Sequence, residues 1–364
     1  MIYTTLFPNR YIQGPNSLQR LGTELSKFGP NSFAICTPFF FEKLILNFQR
    51  NVNNLSQFTV EKFGGECSDE EIDRLSSLAN THKPDIIVGI GGGKTLDTAK
   101  AVAYELKLPV AIVPTIASSD APCSALSVIY TQTGRLKRFL ILPKNPDIVL
   151  VDTSIIAGAP IRFLVSGMGD ALSTWFEAES CKKKYARNAT GDLGSMTAYA
   201  LATLCYKTII KYGSLAKLAG EKHVVTSALE HIVEANTLLS AIGFESGGVA
   251  AAHAIHNGLT ILKPTHKYLH GEKVAFGTFA SLFLTDKSNH IIDEVFSFCK
   301  TVGLPTTLAE VGLPDVSDVD LMKVAESACA EDGTIHNEPI PVTPKMVFSA
   351  IKIADAFAKS RSAQ

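Results

Sequence analysis

Short apolar runs rich in Val, Ile and Phe recur through the first 160 residues, at 33–36, 59–63, 85–90, 110–114, 126–131, 138–142 and 148–151. Runs of this length and composition read as strands. Between the early runs the period becomes helical. Leu18, Leu21 and Leu25 place an apolar stripe on 17–28, and 68–80 and 95–105 form two further amphipathic stretches. Ser68 and Glu71 head the second of these at the spacing of a capping box, in which each side chain satisfies an amide of the first turn. Strand and helix in alternation predict a mostly parallel sheet covered on both faces. After residue 160 the strand-like runs stop. Segments dominated by Ala, Leu and Glu at 170–179, 193–212, 227–241, 291–302, 317–330 and 344–358 predict helices. The expected architecture is an α/β dinucleotide-binding domain at 1–160 and an all-α, metal- and substrate-binding domain at 161–364. Its active site is expected in the interdomain cleft.

Charge narrows the partners. The 364 residues include 34 Lys+Arg and 35 Asp+Glu, a net charge of -1, which leaves no basic surface for a nucleic acid. Only 19% of residues are charged, below the roughly 25% of an ordinary soluble chain. A membrane span would need about 20 consecutive apolar residues. The longest uncharged window, 246–262, holds His253, His256, Asn257 and three glycines, so no span is expected. Residues 1–14 likewise lack the apolar core of a secretory signal. Low charge then implies surface buried between subunits, and a homo-oligomer is expected. Seven scattered cysteines without a C-x-x-C pair indicate free thiols in a reducing, cytoplasmic compartment.

Residues 85–100 combine a buried strand, the turn Gly91-Gly92-Gly93 and a helix start at Lys94-Thr95. Glycines let a backbone approach a phosphate, and the amides and dipole of the helix N-terminus hold it. The turn is neither common phosphate motif. A G-x-G-x-x-G fingerprint beginning at Gly89 would need glycine where Lys94 stands, and a Walker A loop would need it at Val88. Small hydroxylated residues follow the next strand, from Thr115 through Ser118 and Ser119 to Asp120. They would line the crevice at the strand carboxyl ends, where open α/β sheets bind ligands.

The second constellation is Asp170 with four histidines. His253 and His256 are three apart, and His266 and His270 four apart, so each pair can share a helix face. One carboxylate and two imidazoles with an open position suit a catalytic zinc or iron(II) ion. Spacing alone leaves open which two histidines ligate. The remaining histidines, His82, His223, His231, His290 and His336, read as ordinary solvated or capping residues.

Taken in order, these motifs resemble the glycerol dehydrogenases of the iron-containing, group III alcohol dehydrogenase family. The resemblance spans nearly the whole chain: Phe7-Pro8, Tyr11 to Gly14, the loop from Gly91 to Lys100, the stretch from Pro114 to Ser124, Gly167 to Ala171, Gly243 to Gly248 and both histidine segments. It implies a zinc-dependent, NAD-linked and reversible oxidation of glycerol to dihydroxyacetone, extending to other vicinal diols. By motif, the metal ligands are Asp170, His253 and His270, and Asp120 orients the substrate hydroxyl. Gly92, Gly93, Lys94 and Asp97 match the pyrophosphate and ribose loop. Thr115, Ser118, Ser124, Leu126 and Tyr130 match positions along the dinucleotide. Members of the family are commonly octameric.

Two positions depart from the wider family. Iron-dependent members carry a further histidine four residues after the aspartate, and here that residue is Thr174, which favours a three-ligand zinc site. Members also usually carry an acid just after the strand ending near Cys36, for the adenosine ribose. Here Thr37 stands there, and the first acid is Glu42. The missing carboxylate removes repulsion against a 2′-phosphate.

Two rival readings remain. A metal- and NAD-dependent lyase of the dehydroquinate synthase type shares the layout, but it requires basic residues for a phosphorylated, carboxylated substrate, and the segments around Asp170 are poor in Arg. A nonenzymatic nucleotide-binding protein would leave the histidines structural.

Overall fold

The computed structural model describes residues 1–41 and 57–362; Glu42 lies outside them. The chain forms two compact units, one of Leu6–Pro160 with Ala219–Ala241, the other of Met1–Thr5, Ile161–Leu218 and Ile242–Gln364. The division therefore differs from a single cut at residue 160. Hydrogen bonds account for the exchange. Within the first unit, Gln13 donates to the Glu230 carboxylate at 2.6 Å and Asn236 to the Ala117 carbonyl at 3.0 Å, tying 219–241 to the sheet. Within the second, Thr4 and Leu193 pair through a backbone bond of 3.2 Å.

The first unit is built on a six-stranded sheet in the order β1-β8-β5-β4-β2-β3, with every neighbouring pair parallel. These strands are β1 (Tyr11–Gly14), β2 (Asn31–Cys36), β3 (Gln57–Lys62), β4 (Ile86–Gly91), β5 (Val110–Pro114) and β8 (Ile148–Asp152). The central strands are buried along their length, as the two-sided cover of a parallel sheet requires. On one face, Val88, Ile90, Ala111, Val113 and Leu150 pack with Leu21 and Leu25 of α1 (Leu21–Leu25). β1 escapes the sequence pattern because it has four residues, of which only Ile12 is buried. β6 (Leu126–Tyr130) and β7 (Leu136–Ile141) form a separate antiparallel hairpin. Their connection is too short for the crossover that a parallel pair needs.

The helix expected at 17–28 is a 3-10 turn over Ser17–Arg20 followed by α1. In α2 (Asp69–His82) the Ser68 hydroxyl accepts from the Glu71 amide at 3.4 Å, but the return half of the expected capping box is not made. Glu71 instead accepts from the Gly64 amide at 2.7 Å and from Arg74.

α3 (Gly93–Leu106) lies close against β4, because a side chain at Gly89 would come within 2.7 Å of the Ala99 methyl. This helix also carries a buried cation. Lys100, its side chain fully shielded, pairs with Asp97 at 2.9 Å. Its ammonium also donates to the carbonyls of Ala121 at 2.9 Å, Ser124 at 3.3 Å and Leu126. Asp97 in turn accepts from the Val128 amide at 3.1 Å. One ion pair thus pins the segment between β5 and the hairpin to α3.

The second unit is helical. α10 (His270–Leu284) touches α5 (Ile161–Lys184) and α9 (Ala251–Leu259) through backbone; α6 (Met196–Glu221), α7 (Ser227–Glu234) and α8 (Ser240–Gly247) lie between α5 and α9 in sequence, whereas α4 (Thr153–Ala157) precedes α5 and belongs with α7 to the first unit. A methyl at Gly271 would stand 1.8 Å from the Ser166 carbonyl oxygen, and one at Gly169 2.3 Å from that of Gly271. A methyl at Gly277 would stand 2.4 Å from the Ala252 carbonyl oxygen. Around these crossings, Phe279, Phe283, Phe296 and Phe357 stack edge-on or tilted, joining α10 to α11 (Asn289–Val302) and, past α12 (Asp318–Ala328), to α13 (Pro344–Ser362). All seven cysteines are free thiols, and burial pushes those of Cys36, Cys67 and Cys299 up to about 12, far from reactive. No single described helix is long and apolar enough to cross a membrane.

Two substitutions test these contacts. Gly271→Ala should destabilise the chain by about 3 kcal/mol or more, because backbone rather than a flexible side chain must yield; a thermal midpoint equal to that of the parent would disprove the crossing. Lys100→Met should cost about 3–5 kcal/mol in urea denaturation, since it strands a buried carboxylate.

Candidate functional site

Asp170 sits in the middle of α5 and is 1% exposed. His253 lies in the first turn of α9, and His270 is the first residue of α10. The glycine crossing of α5 and α10 falls at the residues beside Asp170 and His270, and so brings them together. His270 Nε2 lies 3.1 Å and His253 Nε2 3.5 Å from the same oxygen, Oδ1 of Asp170. The donor atoms of all three residues lie within 4.8 Å of one another.

Glu177 stands two turns after Asp170 on the same helix face and is buried. One of its oxygens accepts from the backbone amides of Ala250 at 2.8 Å and His253 at 2.9 Å, closing the first turn of α9. The other lies 2.6 Å from His253 Nδ1, which turns Nε2 toward Asp170. Sequence reasoning missed Glu177; its seven-residue spacing from Asp170 was the available signal. It also missed Glu338, buried, which accepts from the Ala251 amide at 3.1 Å and the Ser180 hydroxyl at 2.6 Å.

Electrostatics single out the cluster. Burial by itself raises the Asp170 carboxyl, but the His270 and His253 rings outweigh it and hold the group below the ordinary carboxylate range. Burial also raises Glu177, and His253 with two backbone amides overcomes it. Burial favours a neutral His253, yet Glu177 and Asp170 lift its pKa well above the usual imidazole value. Two buried carboxylates therefore favour positive charge between them. One oxygen and two nitrogen donors, spaced 3.1 and 3.5 Å from the oxygen, suit an ion that bonds each at about 2.0–2.2 Å. The donor set fits a divalent cation.

His256 and His266 stand outside this triad. His256 Nε2 lies 3.1 Å from His270 Nδ1, and burial, with His270 and Lys273 nearby, pushes His256 well below the ordinary value. His266 is bonded to the Thr260 carbonyl at 2.8 Å on the surface. Thr174, one turn after Asp170, is buried with its methyl over Gly243.

The glycine loop leaves β4 and enters α3, with Gly92 as the N-cap. The amides of a helix's first turn have no intrahelical acceptor, which makes this end an anion site. Strand order changes direction between β4 and β2, so the loop stands at the topological switch point. Three strand ends meet there. Thr37 donates its amide to the Ile90 carbonyl and Thr115 to that of Gly91, both at 2.9 Å. A methyl at Gly91 would lie 3.1 Å from Cβ of Thr37, and one at Gly93 would lie 3.8 Å from the Ala121 methyl and 3.9 Å from the Ser119 hydroxyl, ordinary contact distances. Lys94 pairs with Glu66 at 2.6 Å and lies over the Tyr130 ring at 4.9 Å from its centre.

Other residues matched to the cofactor lie further from the loop surface. The Asp97 carboxylate is directed inward to Lys100 and Val128, and Ser124 is buried beside the same ammonium. Leu126 and Tyr130 open and close β6, both half-buried. Ser118 and Asp120 are half-buried in the segment after β5, and Asp120 accepts from the Ser240 hydroxyl at 3.5 Å.

Comparison with known proteins agrees with these features. Residues 8–153 match the family described as iron-containing alcohol dehydrogenase. A glycerol dehydrogenase of Thermotoga maritima is 66% identical over 363 residues, 99% of either chain. A glycolaldehyde reductase of Halobacterium salinarum is 43% identical over 349 residues, 96% of either chain. The solved structure of a probable glycerol dehydrogenase from Sinorhizobium meliloti matches with a TM-score of 0.93 at 43% identity, covering 99% of this chain and all of that one. With identity of this order along its whole length, the chain belongs to the iron-containing alcohol dehydrogenase family.

Proposed function

We propose that the protein is a zinc- and NAD-dependent glycerol dehydrogenase that reversibly converts glycerol to dihydroxyacetone and accepts other vicinal diols. The observation that carries the reading is the convergence of Asp170, His253 and His270 in a chain 66% identical, end to end, to a glycerol dehydrogenase. These three residues would hold the ion, which when bound stabilises the alkoxide of a coordinated hydroxyl. NAD supplies the hydride acceptor. Thr174 in place of a third histidine ligand favours zinc over iron.

The chain's own residues do the positioning. Glu177 fixes the His253 ring, and Asp120 orients the substrate hydroxyl. The first-turn amides of α3 and Lys94 hold the pyrophosphate, while Thr115, Ser118, Leu126 and Tyr130 line the dinucleotide. Asp97 and Ser124 act from behind, through the Lys100 cage, by holding that lining in place. Thr37 stands where a carboxylate would meet the ribose 2′-hydroxyl. An uncharged polyol needs no basic pocket, in keeping with the few arginines near Asp170. The exposed apolar side chains of Met1, Ile2, Tyr3, Tyr185 and Met196 support coverage by further copies, an octamer by family resemblance, and free thiols support a cytoplasmic setting. Membership of a dehydrogenase family disfavours the lyase.

Asp170→Asn should lose bound zinc and reduce turnover by at least ~100-fold together, more than the loss of an outer-shell partner causes. A metal-free variant with full activity would remove the site. Initial rates on glycerol, 1,2-propanediol and 1,2-butanediol should show NADH formation that a chelator abolishes and Zn²⁺ restores; a lyase would give no net reduced cofactor. Thr37→Asp should raise the KM for NADP about tenfold, roughly 1.4 kcal/mol, with the KM for NAD unchanged. Equal KM values for NADP in parent and variant would remove Thr37 from the adenosine site.

A further inference from the structure

The two histidine ligands are backed differently. His253 Nδ1 faces a carboxylate, whereas His270 Nδ1 faces a second imidazole, His256 Nε2, at 3.1 Å. The far nitrogen of His256, Nδ1, lies 3.0 Å from Oδ1 of Asn257. The three side chains form a row that starts at the Asp170 cluster and ends on a neutral amide.

A neutral imidazole has one N–H and one lone pair. Along this row the choice at one ring dictates the choice at the next. With the Asn257 oxygen as acceptor, His256 carries its proton on Nδ1. Its Nε2 then presents a lone pair and accepts the Nδ1–H of His270. That leaves the His270 Nε2 lone pair directed at Asp170 Oδ1, 3.1 Å away, where an ion would sit. The opposite arrangement puts a proton on His270 Nε2 and blocks ligation. It requires His256 to donate from Nε2 and the Asn257 amide to turn its nitrogen inward.

We propose that His256 and Asn257 are positioning residues that lock His270 in its metal-binding tautomer. The inference rests on the assignment of Asp170, His253 and His270 as metal ligands. His256 is 8% exposed and both of its ring nitrogens are engaged in the row, so it acts on the ion through His270. The lock is neutral, in contrast to the anionic Glu177 behind His253. It orients the ring without adding a third negative charge to a site that Asp170 and Glu177 already balance against a divalent ion.

The test is zinc release from the loaded, full-length protein under titration with a chromophoric chelator. His256→Phe, which cannot accept a hydrogen bond, should weaken zinc retention 10–100-fold, the range for loss of a partner behind a ligand. His256→Gln, whose side-chain oxygen can accept, should stay within about threefold of the parent by the same reasoning. Asn257→Leu should weaken retention by about tenfold and, in ¹⁵N spectra of the zinc-stripped protein, convert His256 from a pure Nδ1–H form to a mixture. If His256→Phe fails to fold, the Asn257→Leu titration and spectrum decide the matter. Parent-like zinc retention in a folded His256→Phe, or an Nε2–H form of His256 in the parent, overturns the lock. A parent protein that takes up no Zn²⁺ overturns the ligand assignment itself.

Discussion

The candidate metal site depends on the place where two helices meet without side chains between them. Gly169 and Gly271 let the backbones of α5 and α10 touch, and the residue after the first glycine and the one before the second are Asp170 and His270. Helices normally pack 8–10 Å apart, with side chains filling the gap. Removing that gap allows a short carboxylate to reach a ring on the neighbouring helix. Gly277 does the same for α10 and α9, which carries His253. Three donors from three helices converge because two contacts are reduced to bare backbone.

That geometry makes burial of charge unavoidable, and the surrounding polar groups are arranged to offset it. Asp170 and Glu177 are both almost fully shielded, yet each faces imidazole nitrogen or backbone amide. The sheet unit solves an equivalent problem with Asp97 and Lys100, where one ammonium serves three carbonyls as well as the carboxylate. Buried polar networks add little net stability when complete and cost much when one member is removed. Their contribution here is geometric. One network aims a ligand ring, and the other fixes the segment that follows the strand ends around the glycine loop.

The low charge of the chain follows from the same architecture. With 19% charged residues, long stretches of α5, α9 and α10 are interior, and the uncharged window 246–262 contains α9 and its ligand histidine. A fully shielded helix must be apolar or small all round. The stretch that first raises the question of a membrane span is a core helix with a polar end directed at Asp170.

Legible in the sequence were the elements whose signal is local. The strands at the sheet centre announce themselves as β-branched runs, the glycine turn marks the phosphate-type loop, and Asp170 with four clustered histidines marks metal chemistry. β1 was not legible, because four residues with one buried side chain carry no period. The inward turn of Asp97 was equally hidden, since the resemblance matches that residue to the pyrophosphate and ribose loop, whereas its side chain pairs with Lys100 one helical turn on. Nor did spacing distinguish His253 and His270 from His256 and His266. The sequence by itself determined the local periods, the turns and the inventory of donors, because those depend on neighbours within a few residues. Which donors meet was decided by tertiary structure alone: the meeting point is set by how closely two helix backbones approach, and that distance is a property of the packed pair.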